Sequence, residues 1–114
     1  MKNLIKNIDF SKVFEMEELV TYNKGQVVSK TLTQNKAISI TLFAFDENEE
    51  ISTHVTNGDA MVYVLDGKTD ITIGDEVFSV KKGETIVMPA GIPHALYATE
   101  RFKMLLIIVF NTNE

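Results

Sequence analysis

The chain of 114 residues holds two histidines, His54 and His94, and no cysteine. Neutral imidazole can ligate a divalent metal, orient a bound molecule through a hydrogen bond, or act as a general base. The lack of thiols removes disulfides, thiolate metal sites and cysteine nucleophiles together. His94 follows Pro89, Gly91 and Pro93 and stands at the first residue of an apolar stretch. Proline fixes φ and glycine admits conformations closed to other residues, so the chain turns there and the imidazole is held by a strand. Tyr97 lies close by in sequence, which makes His94 and Tyr97 the candidate base and proton donor of a metal-free reaction. His54 lies in the extended stretch 51–55, and strand alternation places it on the same face as Thr56.

Around His94 the ordered positions are Gly83, Pro89, Gly91, His94 and Ala98. Their spacing resembles the second signature motif of the cupin family, which ends in asparagine where this chain has Ala98. Upstream, the run Asn48, His54, Thr56, Ala60 and Gly67 keeps the spacing of the first cupin motif. There the family has glycine at Asn48, a second histidine at Thr56 and a glutamate at Ala60. The resemblance implies an all-β fold, a cupin-type double-stranded β-helix or jelly-roll barrel, with both histidines at metal-ligand positions in the barrel mouth. It implies a pocket lined by His54, Thr56, Ala60, Val62, His94 and Leu96, and a divalent metal (zinc, nickel, iron or manganese) on His54 and His94. Two imidazoles make an incomplete site, because structural sites use four protein ligands and catalytic ones commonly three. Thr56 offers only a hydroxyl, and strand parity turns Asp59 to the other face. Alanine in place of a carboxylate makes the pocket larger and less polar, which suits a small, partly apolar ligand. The reading is a small-molecule-binding cupin. The alternative is a metal-dependent isomerase, decarboxylase or dioxygenase acting on a small sugar or organic acid, so whether the chain is an enzyme is left open.

The elements that must position these residues read as strands. Residues 26–33 and 37–45 are rich in Val, Ile, Thr and Phe and are separated by Gln34-Asn35-Lys36, a hairpin signature. In the second, Ser39, Thr41, Phe43 and Phe45 alternate with Ile38, Ile40, Leu42 and Ala44, so both faces carry apolar side chains. Residues 59–65 form a strand expected to end at Asp66-Gly67, followed by a hairpin of 68–73 with 76–80 about Gly74-Asp75. Residues 101–110 are apolar on both faces, as in strands covered on both sides. Roughly ten short strands and little helix make an all-β barrel or sandwich. Residues 1–24 have no clear period and are expected to form an arm laid on the barrel, 25–112, or on a second subunit. The acidic run 46–50 is read as a solvated turn.

The length fits one domain, and 45% apolar residues suffice for one core. The net charge of −5 with scattered lysines offers no basic stripe for nucleic acid or an anionic membrane surface. The start lacks a signal-peptide apolar region, and the longest apolar run, 104–110, is far short of the ~20 residues of a spanning helix. The expectation is a cytoplasmic protein, with the two-sided strands favouring a homodimer.

Overall fold

The computed structural model describes residues 3–113. Among these residues eight strands follow a single 3₁₀ turn at Met16–Leu19: β1 Val27–Gln34, β2 Ile38–Phe45, β3 Glu50–His54, β4 Gly58–Ile73, β5 Glu76–Lys81, β6 Thr85–Met88, β7 His94–Tyr97 and β8 Phe102–Phe110. All strand pairings are antiparallel. Along the curled sheet the order is β1-β2-β8-β4-β7-β3, with β5 and β6 each pairing only β4. Among the described residues no helix is long and apolar enough to cross a membrane.

The expected break at Asp66-Gly67 is absent, so the two strands expected on either side of it, 59–65 and 68–73, are one. β4 runs through that point for 16 residues. Its first half pairs β8 and β6, its second half β5 and β7, and the register slips between Val64 and Asp66. Such a bulge bends a strand and sharpens its twist, which carries β4 from one wall of the barrel to the other. Gly67 makes the bend feasible. Its φ is +72°, and a Cβ there would lie 1.8 Å from the Arg101 carbonyl oxygen, a position no side chain can take.

The two hairpins form where turn chemistry placed them. Asn35 Oδ1 accepts hydrogen bonds from the N–H groups of Ala37 and Ile38, closing β1 on β2. Gly74, at φ +60°, closes β4 on β5.

Inward residues show which end of the barrel is shut. Phe45, Phe102, Met104, Val64, Ile71 and Thr69 are fully buried, and the rings of Phe45 and Phe102 stack at 4.4 Å. Farther along the same strands, Phe43, Leu106, Ile108, Ile51 and Ile73 pack on the core but stay only half-buried. Inward apolar side chains that keep contact with solvent mark the open end. Four strands, β1, β3, β5 and β6, pair a single neighbour each and so keep a free edge.

The arm accounts for the second apolar face of β2 and β8. Val20 is buried with Leu32, Leu42 and Ala44, and Ile8, Leu19, Tyr22, Ile40, Leu65 and Leu105 pack around them. Backbone and side-chain bonds pin the arm: Lys6 N–H to Leu32 O, Asn7 Nδ2 to Thr31 O, and Lys103 Nζ to Glu17 O, each 2.7 Å. Tyr22 donates to Asp66 at 2.6 Å, and burial with that carboxylate beside it pushes the phenol well above its ordinary range.

Candidate functional site

His54 and His94 meet at the open end. β3 and β7 pair in the register Ile51↔Leu96 and His54↔His94, so three steps on β3 match two on β7. Regular alternation from Ile51 would turn Thr53 inward and His54 out. The extra residue reverses that parity and brings the His54 ring to its partner. His94 is held between two strands, opposite His54 on β3 and Ile73 on β4. The turn before it is tied by Gly91 N–H to Thr56 O at 2.9 Å and by Ala90 N–H to Asp59 Oδ1 at 2.9 Å. Asp59 therefore braces the histidine's turn from outside the barrel.

The imidazoles are 4.2 Å apart between centroids, edge to face, with Nε2···Nε2 at 3.0 Å. His54 Nδ1 lies 2.9 Å from Ser52 O, and His94 Nδ1 lies 3.3 Å from Ile92 O. A carbonyl oxygen only accepts, so each Nδ1 must carry its proton to make these bonds. Two neutral rings then have no proton left for the Nε2 pair, and two lone pairs face each other. Three contacts share two protons. A cation shared by the two Nε2 atoms would remove the deficit. Histidines that ligate metals commonly donate the other ring N–H to a carbonyl, and each Nδ1 here has a carbonyl within reach. His94 is 3% exposed, and burial first, then the neighbouring His54, holds its pKa below the ordinary imidazole value.

The other candidates are placed differently. Thr56 donates its hydroxyl to Gly58 O at 3.0 Å, a local turn that occupies it. Ala60, Val62 and Leu96 are buried in the core cluster and form the packed wall behind the histidines. Tyr97 does not share the site. It stands an odd number of residues from His94 on β7, is exposed on the outer surface, and donates to Asn48 Oδ1 at 2.8 Å. The pairing of His94 as base with Tyr97 as proton donor therefore fails on strand parity. Among the described residues no three His, Cys, Asp or Glu side chains gather in one place. Beside Val55 and Thr56 a groove of about 430 Å³ is lined further by Asn57, Ala90, Gly91 and Asn111.

Sequence reasoning missed the bulge in β3 and the carbonyls of Ser52 and Ile92. No residue type announces a carbonyl that fixes a tautomer. It also missed why Asn48 can replace glycine: Asn48 has φ +71°, a left-handed conformation that asparagine tolerates better than most residues.

A family model described as "Cupin domain" matches residues 41–110, more than half of the chain. The chain belongs to the cupin family. A conserved protein of unknown function from Streptococcus pyogenes superposes with a TM-score of 0.95 at 46% identity, over 96% of each chain. A cupin superfamily protein from Desulfitobacterium hafniense superposes at 0.90 with 29% identity, over 94% of this chain and 98% of its own. An uncharacterized protein from Streptomyces coelicolor is 26% identical over 106 residues, 90% of this chain and 98% of that one. For this cupin the residues of the barrel mouth therefore carry the functional argument.

Proposed function

We propose that this cupin binds a small molecule in the open end of its barrel, against the paired Nε2 atoms of His54 and His94. A divalent metal, zinc, nickel, iron or manganese, would be held by the same two atoms. The observation that carries the reading is the proton deficit: Nε2 atoms 3.0 Å apart, each ring with Nδ1 facing a carbonyl.

Nε2 atoms 3.0 Å apart are close enough that both would hold the same ion. With two protein ligands, the rest of the ion's coordination would fall to water and to the bound molecule. When bound, the metal supplies a Lewis-acidic centre that polarises a ligand oxygen. The chain supplies the rest. Ser52 O and Ile92 O hold the rings in one tautomer, the β3 bulge aims His54, and the Asp59 bond to Ala90 N–H steadies the turn that presents His94. Phe43, Ile51, Leu106 and Ile108 provide an apolar surround.

The test is thermal unfolding of chelator-treated protein against a broad set of small metabolites, with and without added Ni²⁺, for the parent and a His54→Ala, His94→Ala double variant. A ligand that raises the midpoint of the parent and not of the variant supports the reading. A ligand that stabilises both equally binds elsewhere, and a set that stabilises neither contradicts the proposal.

A further inference from the structure

The outward residues of β4 change character where the strand bends. In its first half Met61 and Tyr63 face out, alternating with the buried Ala60, Val62 and Val64, whereas in its second half Lys68, Asp70 and Thr72 alternate with the buried Thr69 and Ile71. An antiparallel wall with one face on the core ordinarily turns polar residues to solvent, as the second half does. The first half does not, and neither do its neighbours. Register sets Ile40, Ile107, Met61 and Val87 in one outward row across β2, β8, β4 and β6. The next row is Leu42, Leu105, Tyr63 and Thr85, with its Leu42 end under the arm. Neither row holds a charge.

The arm borders this wall and extends it. A groove of about 470 Å³ joins Ile5, Phe10 and Met16 of the arm to Ile40 and Ile107, and a second of about 390 Å³ joins Met16 to Tyr63. Met61, Tyr63, Val87 and Val109 on the sheet, and Ile5, Phe10 and Met16 on the arm, are each 38–57% exposed. At about 200 Å² for a fully exposed residue of this size, the seven present on the order of 600 Å². That is the upper end of the largest apolar patch on an ordinary monomer, about 300–600 Å². A standard interface takes roughly 800 Å² from each partner and is only about 60% apolar, so this patch with its polar rim suffices for one.

We propose that this wall is the contact face of a homodimer, with a second copy of the chain seated on it through the same wall. A two-fold contact sets a patch against itself, so any charge at its centre meets its own kind. Each chain carries a net charge of −5, and the two uncharged rows let two copies approach without opposing carboxylates. Asp59 stands at the end of the neighbouring row, opposite Val109, and Asp9 beside the arm groove is paired with Lys12. The outside of the other wall is unsuited. There Glu50 and Asp70 both lie opposite Tyr97, and a two-fold contact would bring carboxylates together. His54 and His94 belong to β3 and β7 of that other wall, so the dimer does not draw on them and stands independently of the ligand site.

Sedimentation equilibrium of the untagged chain tests the proposal. The parent should be dimeric at about 10 μM, as expected of a standard-size interface. Met61→Glu and Val87→Glu each place a carboxylate in the central row and should weaken association at least about thirtyfold, because the contact would then bury like charges together. Both side chains meet solvent in the single chain, and Val87 lies on an edge strand, so the fold should persist, as far-UV circular dichroism would check. Val77→Glu, at an exposed position on the other wall, is the control and should leave the dimer unchanged. A parent that stays monomeric at about 100 μM, or that assembles beyond a dimer, overturns the proposal. So does a dimer that survives the carboxylate in whichever of the two variants folds, or one that Val77→Glu weakens equally.

Discussion

At the scale of single residues, the environment of His94 makes a statement about stability. Burial and the adjacent His54 depress its pKa from the ordinary value of 6.5. Below that value the unfolded chain takes up a proton that the folded chain resists. The unfolded state therefore binds more protons, and stability falls with falling pH. In chelator-treated protein the thermal midpoint should decline from near neutrality into the acid range, between the unfolded pKa and the lower folded one. His94→Gln should flatten that decline; an equal slope in the variant would show that other groups cause it. Asp46 behaves in the same direction at lower pH. Hydrogen bonds from Gly25 N–H and Arg101 Nε, then Glu47 N–H, hold its carboxyl at about 2. Asp46, at the head of the acidic run read as solvated, thus ties Gly25 to Arg101, just before β8.

Element scale shows why some of this was legible and some was not. The hairpins at Asn35 and Gly74 declared themselves through turn chemistry, and the two histidines through spacing, because both signals are local. The course of β4 did not. Asp66-Gly67 reads as a turn in isolation, yet what it satisfies is the close approach of the Arg101 carbonyl, a contact far away in sequence. Gly67→Ala should lower stability by at least about 2–3 kcal/mol from the left-handed conformation and the clash together. Denaturant unfolding would measure it, and a cost below 1 kcal/mol would mean that β4 can bend elsewhere. The aim of His54 was hidden for a related reason. Alternation predicts parity, and a single bulge reverses it without leaving a mark in residue type. Alternation put Thr41 on one face of β2 with Phe43 and Phe45, but only packing could say which face was inward.

For the whole molecule, the arm decides how the apolar surface is distributed. The two-sided character of β2 and β8 was the argument for a homodimer, yet Ile8, Leu19, Val20 and Tyr22 of the same chain cover much of that second face. Homodimerisation no longer follows from those strands. Removal of residues 1–24 would uncover Leu32, Leu42, Ala44 and Leu105 together. The truncated chain should elute in size-exclusion chromatography as larger, concentration-dependent species. A truncated chain that elutes at the same oligomeric state as the parent and retains its thermal midpoint would show that the arm adds nothing to the barrel.

The central claim is that the two histidines act as one two-point acceptor for a cation. Imidazole ¹⁵N spectra of the metal-free protein, followed through a Zn²⁺ titration near pH 7.5, test it most directly. The account predicts that one equivalent moves the Nε2 resonances of His54 and His94 together, with both Nδ1 atoms protonated at the end point. Movement of one ring alone, or of neither, would contradict it.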